Sequence, residues 1–135
     1  METSINNKCK AYTSLEQSKK LAEILPPESA DMCYRPTRDV YGNIDGYSKY
    51  PDVMTPRDRK FFYELGYKPG WSLAALLDIL PKGEDSDTNL CFGGYEGIEY
   101  VPEWFCNIDV VCCTADNPVD ACYEMIIKLK ERDLL

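Results

Sequence analysis

Seven cysteines, at positions 9, 33, 91, 106, 112, 113 and 122, and twenty-three acidic residues are the groups here that could do chemistry; histidine is absent. Without an imidazole, Ser-His-Asp and Cys-His nucleophilic sites and His-ligated metal centres are excluded. A cysteine nucleophile needs a base or cation to lower its pKa, and no histidine can serve. Thiolate zinc sites want C-x₂₋₄-C pairs. The only close pair is Cys112-Cys113, whose side chains would point to opposite faces of a strand. The count is odd and the N-terminal residues show no signal-peptide h-region, so a disulfide framework is a poor reading. The thiols read instead as small core residues. On a strand through 106–112, residues 106, 108, 110 and 112 share one apolar face, and Cys122 lies on the stripe of the last helix. No metal and no cofactor are expected.

The acids offer one near-motif. Asp85, Asp87, Asn89 and Glu96 fall at positions 1, 3, 5 and 12 of an EF-hand loop. Leu90 stands where that loop needs glycine, and strand-like residues follow, so a solvated acidic loop entering a hairpin is the better reading. Asn43-Ile44-Asp45-Gly46 reads as a turn. Carboxylate pairs such as Glu96 with Glu99 or Glu103 carry no specificity in so acidic a chain. G-x-S-x-G, P-loop and G-x-G-x-x-G patterns are absent.

Aromatics say more. The stretch from Tyr34 to Trp71 holds nine rings with Arg35, Arg38, Arg57 and Arg59, the composition of an interaction surface. So many aromatics disfavour disorder. Tyr41, Tyr47, Tyr50, Phe61, Phe62 and Tyr63 are the partner-binding candidates; the alternative is that the rings fold back over a sheet.

Several elements must position these groups. Thr13-Ser14-Leu15-Glu16 reads as a capping box with Thr13 as N-cap, opening a helix over about 14–25 that Pro26-Pro27 stops. Residues 30–34 suit a short strand. From about 35 to 70 the chain is rich in Tyr, Pro and Gly and loses periodicity, apart from a short helix with Thr55 as N-cap, Pro56 first and Gly66 as stop. Ser72 caps a helix bearing Leu73, Leu76, Leu77 and Leu80. Strands follow at 89–92, 95–101 and 105–114, with Gly93-Gly94 as a turn. Asn117 caps the last helix, whose stripe is Val119, Cys122, Met125, Ile126 and Leu129; Glu124 and Lys128 form an i,i+4 pair. The expected core is Leu21, Leu25, Leu76, Leu77, Ile108, Val110, Cys122, Met125 and Ile126. The expected fold is α+β: one domain over 1–135, a small antiparallel sheet of three to four strands, and about three helices packed on it.

At 135 residues such a chain can bury a core unaided. Its 44% apolar and 28% charged content excludes fibrous and low-complexity classes. A net charge of −8 argues against tracking a phosphate backbone. No apolar run approaches the roughly 20 residues that span a bilayer. A reducing cytosol, no nucleic acid and no membrane are therefore expected.

Three segments, Gly70-Trp71-Ser72-Leu73-Ala74-Ala75-Leu76-Leu77-Asp78-Ile79-Leu80-Pro81-Lys82, Asn117–Ile126 and Ser18–Leu25, together resemble a group of small uncharacterised proteins of Bacteroides-type gut bacteria and their prophages. The resemblance covers about three helices. It implies a bacterial, phage-related origin and no established activity, so no catalytic residue carries over. The expected function is a non-enzymatic accessory protein that binds another protein. Alternatives are a carboxylate-dependent or metal-assisted small hydrolase, whose acids would converge in a pocket, and an acidic DNA-mimic decoy, whose acids would spread over one face.

Overall fold

The computed structural model describes residues 10–81, 88–96, 98–108 and 111–135. The acidic residues Asp85 and Asp87 of the near-EF-hand segment, and Val110 of the expected core, lie outside the described residues. The chain is α+β, with antiparallel pairing throughout. It divides into two compact units, Thr13–Ala75 and Leu76–Leu135 with the N-terminal residues up to Tyr12.

The Thr13–Ala75 unit opens with α1 (Leu15–Ile24). Its cap is one residue later than the sequence suggests: Ser14 and Gln17 form the reciprocal capping box. Thr13 is drawn into the core instead. Its hydroxyl shares a 2.7 Å hydrogen bond with that of Ser18 and accepts from the Trp71 backbone N–H at 3.1 Å. The Tyr34 hydroxyl donates to the Thr13 carbonyl at 2.6 Å. All four residues are buried, so each buried polar group there has a partner.

The stretch over 35–70 is not the aperiodic segment its composition implies. After β1 (Met32–Tyr34) it forms a hairpin of β2 (Pro36–Arg38) and β3 (Ile44–Tyr47), then β4 (Asp52–Val53), helix α2 (Arg59–Glu64) and β5 (Lys68–Gly70). Strand β1 is central, with order β4-β1-β5 and Cys33 opposite both Asp52 and Pro69. Strands of two to four residues are too short to print an alternating pattern, which is why the sequence hides them. Residues 44–46 lie in β3; the turn precedes them. There Asp39 Oδ1 accepts from the backbone N–H groups of Tyr41 and Asn43, and Gly42 takes φ +84°. Helix α2 starts three residues after Pro56 and stops where expected, at Gly66 with φ +92°.

Helix α3 (Leu73–Ile79) begins at Ser72, whose Oγ accepts from the Ala75 N–H at 3.2 Å. The Leu76–Leu135 unit is a meander of β6 (Asn89–Glu96), β7 (Glu99–Ile108) and β8 (Val111–Ala115), with α4 (Pro118–Glu131) packed on β7 and β8. Gly93-Gly94 is not the hairpin turn. Both glycines lie within β6, which runs on to Glu96 opposite Glu99. The register shifts between Phe92 and Gly94, so that two residues of β7, Pro102 and Glu103, oppose Gly93 alone. A bulge is where a strand tolerates proline, which has no N–H to give the ladder.

Because β7 ends at Ile108 and β8 starts opposite it at Val111, the alternation assumed through 106–112 is broken. Cys112 is exposed, and Cys113 takes the inward place opposite Cys106. Helix α4 is as expected. Asn117 Oδ1 accepts from the Asp120 N–H at 2.8 Å, and Val119, Cys122, Met125, Ile126 and Leu129 are buried. Lys128 Nζ donates to the Cys112 carbonyl at 3.2 Å instead of pairing with Glu124. Leu77 of the expected core is only half-buried; Leu21, Leu25, Leu76, Ile108, Cys122, Met125 and Ile126 are buried. No helix among the described residues is long and apolar enough to cross a membrane.

Candidate functional site

The Thr13–Ala75 unit carries the site. Phe61 on helix α2 and Leu65, the cap at its C-terminal end, stand one turn apart, 60% and 44% exposed. The hairpin lies against the end of this helix: Gly66 sits so close to Ile44 Cδ1 that an added Cβ would stand 2.9 Å from it. Ile44 is itself 41% exposed, so Phe61, Leu65 and Ile44 form an apolar strip across the helix–hairpin junction. At the hairpin tip the Asp39-anchored turn holds Val40 and Tyr41 almost wholly in solvent, 93% and 86% exposed. Single exposed apolar side chains are ordinary; a run of them on adjoining elements is not.

On another face of α2, between that helix and the 3₁₀ turn (Pro27–Ser29), is a groove of about 480 Å³. Pro27, Pro56 and Tyr63 supply its apolar lining, Arg59 and Lys60 its cations, Glu28 and Glu64 its acids. Tyr63 donates its hydroxyl to the Pro27 carbonyl at 2.9 Å. Burial pushes its pKa from 10.0 up to about 12, against the opposing pull of the Arg59 charge; Cys33 and Glu28 add to the rise. Arg59 Nη2 donates to the Ala30 carbonyl at 3.1 Å, while its Nε is buried without a hydrogen-bond partner. Among the described residues, no three His, Cys, Asp or Glu side chains gather as a metal-binding group.

The six aromatics singled out from the sequence fall into different places. Phe61 is on the strip and meets Phe62 edge-on, with centroids 5.8 Å apart; Phe62 leans in turn on Tyr67 at 4.9 Å. Tyr63 lines the groove and Tyr41 tops the hairpin. Tyr47 lies under Lys19 Nζ and Tyr50 under Lys49 Nζ, 5.6 and 5.4 Å from the ring centroids. Tyr34 and Trp71, from the same stretch, are core residues. Sequence reasoning missed Val40, Ile44 and Leu65 because they are aliphatic; the Phe61–Leu65 spacing on a short helix was the available signal for one of them. No family model, no curated protein and no solved structure matches the chain.

Proposed function

We propose that the chain is a non-enzymatic accessory protein that binds another protein through the surface made by the β2–β3 hairpin and α2. The observation that carries this reading is the joined exposure of Tyr41, Ile44, Phe61 and Leu65 on two elements held together at Gly66. Large apolar side chains each bring about 1.5–3 kcal/mol when fully buried. The resemblance to proteins of Bacteroides-type gut bacteria and their prophages suggests where a partner is to be sought.

The test is capture from such a host with the tagged chain, compared with a Tyr41→Ala/Phe61→Ala/Leu65→Ala variant and with Phe92→Ala, an exposed ring on the other unit. The expected result is a protein retained by the wild type and by Phe92→Ala and lost by the triple variant. Equal capture by all three chains overturns the proposal.

A further inference from the structure

The groove between α2 and the 3₁₀ turn gathers two cations and two acids, and these do not neutralise one another. Arg59 and Lys60 stand at the start of α2, Glu64 at its end, and Glu28 on the 3₁₀ turn across the groove. Among the described residues the one ion pair is Lys10–Asp120, so none of these four reaches a partner of opposite sign. Lys60 and Glu64 are four residues apart, but with the lysine first, which is the weaker order for a helical pair. Arg59 spends one Nη2 hydrogen on the Ala30 carbonyl, and its Nε is buried without a partner. Its other Nη hydrogens are free to meet an anion, and the chain itself compensates its charge only in part.

The rest of the groove is apolar and already ordered. Tyr63 and Arg59 both reach across from α2 to backbone carbonyls of the facing segment, to Pro27 at 2.9 Å and to Ala30 at 3.1 Å. Two side chains fixed in this way lose little further freedom on binding. Pro27 and Pro56 are stiffened by their own rings. An apolar space of about 480 Å³ with a few charged groups at its edge has the make-up of a small-molecule site. Phe61 and Leu65 do not line it.

We propose that this groove binds a free α-amino acid with a large apolar side chain. Arg59 and Lys60 take its carboxylate, Glu28 and Glu64 its ammonium, and its side chain lies against the prolines and the Tyr63 ring. The charge balance selects this class. Two positive and two negative groups line the groove, so a ligand of one sign sets a like charge against one pair, whereas a zwitterion meets the opposite charge at each end. Residues four apart on a helix have β-carbons about 5–6 Å from each other, so Lys60 and Glu64 can hold two charges borne on one carbon. An internal peptide segment has neither terminal charge and leaves both pairs unused.

The experiment follows the backbone amide resonances of the isotope-labelled full chain at neutral pH as L-phenylalanine is added. The other arms are its amide, which lacks the carboxylate, its N-acetyl derivative, which lacks the ammonium, and glycine, which lacks the side chain. Expected are saturable shifts centred on Lys60, Tyr63 and Glu64, in the millimolar range that suits a ligand of about a dozen non-hydrogen atoms. Each truncated compound should bind about tenfold more weakly, having lost a charged contact or the apolar one. Lys60→Gln and Glu64→Gln, both at exposed positions, should weaken phenylalanine several-fold and leave the melting temperature of the ligand-free chain unchanged. Equal binding of any truncated compound would show that its missing group has no counterpart in the groove. Shifts without curvature by about 20 mM, or centred elsewhere, would show that no site exists there. Either result overturns the proposal, and the wild-type titrations give it whatever the variants do.

Discussion

Arg38 Nη2 donates to the Leu65 carbonyl at 2.9 Å, while Nη1 of the same side chain donates to the Gly42 carbonyl at 2.8 Å. One guanidinium thus joins the turn of the hairpin to the end of α2, the two elements that carry the exposed Ile44, Phe61 and Leu65. Lysine, with a single ammonium, cannot serve both carbonyls in this fork.

The joint makes the two left-handed glycines unequal. Gly42, at φ +84°, has nothing within 4 Å of an added Cβ; Gly66, at φ +92°, would place one 2.9 Å from Ile44 Cδ1 and 3.4 Å from Arg38 Nη2. Alanine at either position carries about 1–2 kcal/mol of backbone strain. Gly66→Ala should lose more, because Ile44 must also move, and Gly42→Ala should stay near the strain alone. Urea denaturation of both variants measures the difference; equal losses would show that Ile44 swings aside at no cost.

Where the sequence was legible, it was legible through period and caps. Helix α4 repeats its apolar residues over four turns and carries Asn117 at its cap, so its buried face followed directly. Helix α1 slipped by one residue because Thr13 and Ser14 are equally good caps, and the choice was made by tertiary demand: Thr13 was needed to satisfy Trp71 and Ser18. Cys112 and Cys113 exchanged places because β7 and β8 are separate strands in an antiparallel ladder, and adjacent hydrophobics do not disclose where one strand ends. The candidate surface was legible in composition only. That Tyr41 and Phe61 share it while Tyr34 and Trp71 do not depends on pairing at long range, which no local pattern encodes.

Tyr63 should give the fold an alkaline limit. Burial raises its folded pKa from 10.0 to about 12, so the native chain holds the phenolic proton more tightly than the unfolded chain does. The stability contributed is complete below the unfolded value of 10.0 and is lost as pH rises from there towards about 12. Denaturation midpoints should fall across that window, and Tyr63→Phe, which has no proton to release, should flatten the decline. Tyrosinate absorbance in the native state reports the same titration; a Tyr63 signal complete near pH 10 would contradict the assignment.

Met125 and Leu77 separate a core position from a boundary one. Met125 is 0% exposed on α4, and truncation to alanine should cost about 2–5 kcal/mol, as for other large buried side chains. Leu77, half-buried on α3, leaves part of its side chain in water and creates no closed cavity when shortened. Leu77→Ala should therefore cost clearly less than Met125→Ala in chemical denaturation. The reverse order would mean that α3 presents a different face to the core.

The Thr13 hydroxyl offers the sharpest test of how the buried polar cluster is held. It accepts from the Trp71 N–H and shares a proton with Ser18, all three residues being 0% exposed. Thr13→Val keeps the shape but leaves the Trp71 N–H and the Ser18 hydroxyl without that partner in the core, which should cost about 1–3 kcal/mol. Removing the Tyr34 hydroxyl is a lesser loss, because the Thr13 carbonyl it serves is an acceptor and no donor is stranded. Tyr34→Phe should therefore cost nearer 0.5–1.5 kcal/mol, about the net worth of one hydrogen bond. Ser18→Ala added to Thr13→Val takes away one of the two orphaned groups and should return part of the loss. Four chains in one urea series give the answer: a double variant less stable than Thr13→Val would show that the Ser18 hydroxyl has another partner, and that the cluster is not closed through Thr13.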